Sequence, residues 1–374
     1  MQESFEISAS SGSYPVTVGT NLLSQVLIDN PNAIFIVDKI LEPRLPPSVT
    51  KRIAIEAVEA NKSLEFAPHV IKELRKLEAD RTSHLVAIGG GIIQDVTTFA
   101  ASIFMRGVPW TYMPTTLLSM VDSCIGGKSS INAAGYKNLV GNFYPPGKVL
   151  VDVSFITTLD AEMIVGGLFE AAKICYASGY NGFLEYLAQG PSCPMTEEQA
   201  QRVILQSLRT KKWFIEVDEF DRKERLLLNF GHTFGHAMEA GTDFGISHGI
   251  GVGLGMLVAN EYAKRHANLT DNGLARIDHL GSHVKKLLGA IQANPAVIDL
   301  GLVMDKFDHD KKHHPGSYRI IVPRGDGGLE LISVPKSDKV RRDIVSAFEA
   351  ALGQIPWPFS RPERTAPRVV NGSP

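Results

Sequence analysis

The sequence predicts an α/β fold in two parts: a parallel sheet covered by helices over residues 1–157, then a helical region over residues 158–374. Three observations predict it. Short apolar runs alternate with helical stretches in the first part, the rhythm of βαβ units. A glycine run, Gly89-Gly90-Gly91, stands where one of those strands turns into a helix. Beyond Thr157 the period-2 runs give way to long stretches of helical periodicity.

Taken in order, Phe5 to Val18 is broken by Ser-Gly-Ser and reads as a hairpin. Ala33 to Val37, ending at Asp38, and Arg52 to Ala57 read as buried strands, and His69 to Leu77 as a helix. Leu85 to Ile88 is a strand running into the glycines, followed by a helix from Gln94 to Phe104. Trp110 to Met113 and Val149 to Val153 complete the sheet. The helices that follow span Ala161 to Tyr176, Thr196 to Ile215, Gly235 to Glu239, Gly249 to His266 and Asp271 to Leu288. Thr196 with Gln199 three residues on is the signature of a capping box. Arg319 to Val322 and Leu329 to Val334 predict a small hairpin around a glycine-rich turn. The segment from Gln354 to Pro374 is rich in Pro, Arg and Ser and is expected to be loosely held. No internal repeat is visible.

Hydrophobic residues make up 44% of the 374 and charged residues 21%, with a formal net charge of -2. That balance gives no reason to expect nucleic acid or a membrane surface as a partner, so any cationic site must be local. Cys124, Cys175 and Cys193 are odd in number and widely spaced, as expected of reduced thiols in the cytoplasm. The start, MQESFEISAS, lacks the features of a secretory signal. No apolar run reaches the roughly 18 residues of a membrane span.

The densest chemistry lies in Asp122-Ser123-Cys124-Ile125-Gly126-Gly127-Lys128 and the six residues after it. A carboxylate, a lysine and a glycine pair, with Lys137 and Asn138 shortly beyond, suit a small, multiply charged anion. Other cations stand beside glycines or on apolar helices: Lys173, Lys211, Arg225, Arg106 and the pair Lys311-Lys312. Each alone is most often a surface charge; Lys173 is the best candidate, because its helix is apolar all round it. A phosphate brings roughly -1.5 to -2 charges, so several cations must converge to hold a phosphorylated acid.

Gly89-Gly90-Gly91 suits the approach of a pyrophosphate to a helix N-terminus, although alone such a run is more often a tight strand-helix turn; the GxGxxG fingerprint is absent. Asp38, at a strand end, is either a ribose contact or an ordinary turn acid. Glu59 and Lys62 are a further contact or a solvated pair. His232 and His236, four apart, share a helix face, but Thr233 stands where HExxH needs its glutamate. His248 follows, and Glu170 lies in the apolar helix of Lys173. One glutamate with two histidines is a common catalytic zinc set. His309, His313 and His314 are expected to face solvent.

The stretches GGGIIQDVTTFAAS, RGVPWTYMPTTLLSMVDSCIGGKSSIN, KNLVGNFYPP, GGLFEAAK and LLLNFGHTFGHAMEA followed by SHGIGVGLGM resemble the 3-dehydroquinate synthase family and, more broadly, the sugar phosphate cyclases. The similarity runs from about residue 30 to about 322 and is most specific between 89 and 250. It implies an N-terminal NAD-binding Rossmann-like domain and an all-α C-terminal domain for metal and substrate. It implies Glu170, His232 and His248 as zinc ligands, with Co2+ as an alternative ion, and moves His236 to the substrate pocket. Asp38, Glu59, Lys62, the segment Gly90-Gly91 to Asp95, Thr115, Thr116 and Thr158 would meet NAD+, bordered by Asp122, Lys128 and Lys137. Asp122, Lys128, Lys137, Asn138, Lys173, Lys211, Arg225, Asn229 and one of Lys311 or Lys312 would meet the substrate. Arg106 would reach the neighbouring subunit of a homodimer.

The implied reaction converts 3-deoxy-D-arabino-heptulosonate 7-phosphate to 3-dehydroquinate and phosphate, a step of the shikimate pathway. A hydride passes from a metal-held ring hydroxyl to NAD+, phosphate is eliminated, the hydride returns, and an aldol step closes the carbocycle. The sequence departs from the family pattern at Gln94 and Thr98, where glycines are usual, at Ser129-Ser130, at Tyr136, and at Ile250, where a glutamate usually follows His-Gly. Two other readings compete. Sister cyclases act on sedoheptulose 7-phosphate, glucose 6-phosphate or amino analogues, but usually alter the Gly-Gly-Lys loop and the carboxylate-binding cations kept here. Metal-dependent alcohol dehydrogenases share the fold but lack the paired lysines.

Overall fold

The structure is a computed structural model describing residues 2–292, 297–310 and 312–360. Its strands are β1 (Glu3–Ala9), β2 (Gly12–Gly19), β3 (Ile34–Asp38), β4 (Arg52–Ile55), β5 (Leu85–Gly89), β6 (Trp110–Pro114), β7 (Ile131–Ala133), β8 (Tyr136–Val140), β9 (Lys148–Asp152), β10 (Ile298–Asp299), β11 (Ser317–Pro323), β12 (Leu329–Pro335) and β13 (Phe359–Ser360). Its α-helices are α1 (Leu22–Asp29), α2 (Ala67–Lys76), α3 (Gly91–Ile103), α4 (Ala161–Ala177), α5 (Tyr180–Ala188), α6 (Glu197–Val217), α7 (His232–Gly241), α8 (His248–His266), α9 (Asp271–Leu288), α10 (Leu300–Asp308) and α11 (Asp338–Leu352).

The chain divides into two compact units, Met1–Leu228 and Asn229–Pro374. The change from strands to helices comes near residue 157 as expected, but the packing boundary falls later. Helices α4 to α6 belong with the sheet, because they pack on one another and on β1, β2 and the turn at Ser119–Ser123.

The first unit is a seven-stranded sheet in the order β1-β2-β9-β6-β5-β3-β4. The β1–β2 hairpin is antiparallel, with Glu3 opposite Val18 and Ala9 opposite Gly12. Every other neighbour is parallel. Strands β5 and β6 are buried throughout, which is why their sequences read as continuous apolar runs. From β3 the chain adds β4 on one side and β5 on the other. The order therefore reverses at β3 and β5, and a crevice opens at their carboxyl ends. Asp38 ends β3 and Gly89 ends β5. Burial on both faces is the main stabilising term, at about 25 cal/mol per Å² of apolar surface.

The second unit is mostly helical and carries the expected hairpin, β11 with β12, in which Ser317 pairs with Pro335 and Pro323 with Leu329. Phe234 of α7 packs at 5.6 Å on Phe307 of α10 and at 5.7 Å on Phe348 of α11, ring centre to ring centre. Helices α7 and α8 cross at very close range because glycines line the crossing. A Cβ at Gly235 would lie 2.6 Å from the Gly251 carbonyl oxygen, and one at Gly255 would lie 2.0 Å from that of Gly231. The predicted capping box at Thr196 and Gln199 is present. Among the described residues, no helix is long and apolar enough to cross a membrane.

Candidate active site

The first unit gathers its charged side chains around the turn at Ser119–Ser123, a π-type turn ending beside Gly126 and Gly127. Lys173, on the buried face of α4, places Nζ 3.0 Å from Asp122 Oδ2 and 2.5 Å from Glu170 Oε2. Lys211, on α6, places Nζ 2.5 Å from Asp122 Oδ1, and it donates to the carbonyls of Asp122 at 2.5 Å and Ile125 at 3.1 Å. An ammonium has three N–H donors, so Lys211 commits its set to this turn and acts on a ligand through its charge. Both lysines and Glu170 are buried.

The electrostatics follow from that packing. Burial works against ionising Asp122, but Lys173 and Lys211 more than offset it and hold its carboxyl well below the usual range. Burial likewise disfavours the Lys173 cation, and Asp122 and Glu170 outweigh it, so its pKa is raised. Lys211 comes out lowered, because burial and the nearby guanidinium of Arg225 exceed the pull of Asp122. Three buried ionisable groups therefore sustain one another, and removing one leaves an uncompensated charge.

Arg225 lies under the glycine pair. It donates to the Glu219 carbonyl at 2.5 Å and to the Gly126 carbonyl at 3.4 Å. Gly126 has φ +99°, and a Cβ there would meet Arg225 Nη2 at 2.2 Å. Only glycine satisfies both the dihedral and the contact. Lys128, at the loop's end, is bound to Asp221 at 2.6 Å.

At the sheet's switch point, Gly90 caps α3 and packs against Thr116, whose Cγ2 would be 2.9 Å from a Cβ at Gly90. Gly91 faces open space, with nothing within 4 Å of such an atom. A dinucleotide's pyrophosphate fits there, with helix N–H groups before it and no side chain in the way. Asp38 accepts from the Ile40 amide at 3.3 Å, and burial raises its pKa. Glu59 and Lys62 are not each other's partners. Lys62 binds Asp95 at 2.8 Å, and Glu59 accepts from Asn132 at 2.8 Å and lies 3.5 Å from Lys137. These contacts anchor the β7–β8 hairpin, where Asn138, with φ +54°, binds Asn132 through its amide. Thr115 donates its amide to Gly89, Thr116 bonds Ser119, and Thr158 donates to the Phe155 carbonyl. Arg106 is exposed with φ +72°.

In the second unit His232, His236 and His248 converge, with candidate ligand nitrogens all within 4.8 Å of one another. His232 and His236 are one turn apart on α7, and the glycine crossing brings His248, the first residue of α8, against them. His232 Nδ1 lies 3.2 Å from the Phe230 carbonyl, and His248 Nδ1 lies 2.9 Å from Glu239 Oε1. Both contacts engage Nδ1, the kind of support that orients a metal-binding imidazole. Imidazole nitrogens so supported suit a borderline ion such as Zn2+. His236, expected in the substrate pocket, stands as close to the cluster as the other two. Lys312 donates to Asn229 Oδ1 at 2.9 Å, and Lys311 lies outside the described residues. His313 does not face solvent as expected. It is half-buried, accepts from the Arg319 amide and packs at 4.9 Å on Phe307.

Two contributors escaped the sequence reading. Glu239 sits three residues after His236 on an apolar helix and gave no signal of its own. Gln94 was noted only as a departure from a glycine; its partner is distant in sequence.

Comparison with known proteins gives the family of the chain. The family descriptions "3-dehydroquinate synthase N-terminal" and "3-dehydroquinate synthase C-terminal" match residues 52–165 and 167–313. A 3-dehydroquinate synthase of Dictyoglomus turgidum is 34% identical over 90% of this chain and 95% of its own. Two solved structures share the fold. One is 2-deoxy-scyllo-inosose synthase with carbaglucose-6-phosphate, NAD+ and Co2+: TM-score 0.81, 21% identity, 93% of this chain and 99% of that one. The other is 2-epi-5-epi-valiolone synthase from Streptomyces hygroscopicus with NAD+ and Zn2+: TM-score 0.73, 23% identity, 91% and 97% coverage. Matched along nearly its whole length by a relative above 30% identity, the chain belongs to the 3-dehydroquinate synthase family.

Proposed function

We propose that the protein is a phosphate-eliminating cyclase that converts 3-deoxy-D-arabino-heptulosonate 7-phosphate to 3-dehydroquinate and phosphate, using NAD+ and a divalent metal, Zn2+ or Co2+. The observation that carries this reading is the buried Lys173–Asp122–Lys211 cluster beneath the Gly126-Gly127 loop and Arg225. Such a concentration of fixed cations suits a substrate that is both a carboxylate and a phosphate ester. The bound ion and oxidised nicotinamide would supply Lewis-acid activation of a ring hydroxyl and temporary storage of its hydride.

The protein's own groups do the rest. Asp122 stays ionised and accepts a hydrogen bond from a substrate hydroxyl. Lys173 keeps its proton, so it orients oxygen atoms as a donor and does not act as a base. Arg225 offers a planar fork to the substrate carboxylate, with Lys128 beside it. Lys137 and Asn138 on the β7–β8 hairpin, and Asn229, His236 and Lys312 in the second unit, complete the substrate set. Glu170, His232 and His248 are the proposed metal ligands. Asp38, the Gly90-Gly91 turn and Thr115-Thr116 are the proposed dinucleotide contacts. The exposed Ile103 and Met105 beside Arg106 support a homodimer in which Arg106 serves the neighbouring site. The free thiols of the three cysteines support a cytoplasmic location.

The deciding experiment incubates the protein with NAD+ and Zn2+ and offers the seven-carbon sugar acid phosphate beside sedoheptulose 7-phosphate. Phosphate release and a carbocyclic product from the acid alone are expected. Release only from the neutral sugar moves the assignment to a sister cyclase, and net NADH accumulation moves it to a dehydrogenase.

A further inference from the structure

Four backbone carbonyls of the Asp122 turn are captured by side chains from elsewhere. Ser207 of α6 donates to Val121 at 2.9 Å, and Lys211 takes Asp122 and Ile125. The fourth, Ser123, accepts from Gln94 Nε2 at 2.7 Å, and the Ser123 hydroxyl donates back to Gln94 Oε1 at 2.6 Å. Gln94 is buried on the first turns of α3, next to Asp95 and four residues from the cap at Gly90. Thr98, the other departure on this helix, donates its hydroxyl to the Gln94 carbonyl at 2.7 Å. A π-type turn is irregular backbone and keeps its shape only where such contacts hold it. Three of the four captures come from α6. The Gln94 pair is the one that comes from α3, the helix whose N-terminus faces the proposed dinucleotide site.

We infer that Gln94 is a positioning residue that, through its two-way hydrogen bond with Ser123, fixes the Asp122 turn so that the carboxylate meets both lysines. A glycine at this position could make neither bond. The inference rests on the cyclase reading for its kinetic consequence, but its structural consequence is independent of turnover. Gln94→Met keeps the side chain's length and removes both hydrogen bonds, and Gln94→Glu removes the donor to the Ser123 carbonyl, keeps an acceptor for the Ser123 hydroxyl and adds a buried carboxyl. Ser123→Ala removes only the hydroxyl.

The test measures amide hydrogen exchange of the full chain by mass spectrometry, together with kcat, KM and NAD+ affinity. Gln94→Met should speed exchange across the 119–127 segment by about tenfold or more, with the β5 and β6 strands unaffected. It should lower kcat by about tenfold or more and leave NAD+ affinity within about twofold. Adding Ser123→Ala to Gln94→Met should cost less than Ser123→Ala costs alone, since the shared bond is already gone. If Gln94→Met fails to fold, Gln94→Glu and Ser123→Ala carry the same exchange measurement. Unchanged exchange in the 119–127 segment, or strictly additive losses in the double variant, would overturn the inference. An inactive wild type with the exchange effect intact would instead count against the cyclase reading alone.

Discussion

The Glu239 Oε1 atom lies 2.9 Å from His248 Nδ1, so a carboxylate on α7 sets the orientation of the first imidazole of α8. Ile250, two residues after His248, is apolar, and Glu239 supplies a carboxylate to this histidine from the neighbouring helix. Replacing such a group typically weakens metal affinity about 10- to 100-fold. Glu239→Gln should therefore lose Zn2+ to a competing chelator at correspondingly lower concentration while remaining folded. An unchanged affinity would show that the contact does not orient His248.

Lys173 bridges two carboxylates in a buried setting, at 3.0 Å from Asp122 and 2.5 Å from Glu170. Lys173→Ala should abolish turnover and lower unfolding stability by about 3–5 kcal/mol, the cost of removing one partner from a buried ion network. Adding Glu170→Gln should recover part of the stability in a denaturant titration without restoring turnover. Equal stability of Lys173→Ala and wild type would contradict the buried network.

Acid sensitivity should trace to Asp122. Its folded pKa is depressed below the unfolded value near 3.9, so its contribution is complete above about pH 4–5 and is lost as pH falls through the folded pKa. In Asp122→Asn the stability curve should be flatter below about pH 4. The two proteins should run parallel from pH 6 to pH 8. A difference that grows within that neutral window would assign the linkage to another group.

Gly126→Ala should displace Arg225, because the new methyl would sit 2.2 Å from Nη2 in a backbone held at φ +99°. The expected result is a rise in KM for the sugar acid phosphate with little change in NAD+ affinity. Arg225→Lys should show the same pattern, since a point charge cannot reproduce a fork. A normal KM in both variants would remove Arg225 from substrate binding.

The cysteines should react in a set order. Burial pushes the thiols of Cys124 and Cys175 up to about 12, whereas Cys193, also raised by burial, is only half-buried and so within reach of a reagent. Iodoacetamide at pH 8 should label Cys193 first and leave the other two intact until the protein unfolds. Early labelling of Cys124, read by peptide mass spectrometry, would mean that the Asp122 turn opens in solution.

The strands and the long helices were legible because each carries its own period. The parallel strands read as apolar runs and α9 as a 3.6-residue stripe, and Thr196 and Gln199 announced a cap that the structure contains. Short elements with weak periods escaped: α1, α5, α10 and the β7–β8 hairpin. The longer α11 escaped too, although Ser337 caps it, because it follows a hairpin and precedes a segment expected to be loose. The packing boundary after Leu228 was not legible either, since it depends on which faces α4 to α6 bury and not on where helices begin.

Sequence alone determined the fold class, the family and the residue types available for chemistry, because periodicity, turn glycines and motif spacing are local properties of the chain. Only the tertiary structure decided which atoms meet: Lys62 with Asp95, Lys211 with the carbonyls of the Asp122 turn, Gln94 with Ser123, Glu239 with His248. Those pairings join residues on different elements. They exist because a polar group buried by the fold must find its partner there, wherever in the chain that partner happens to be.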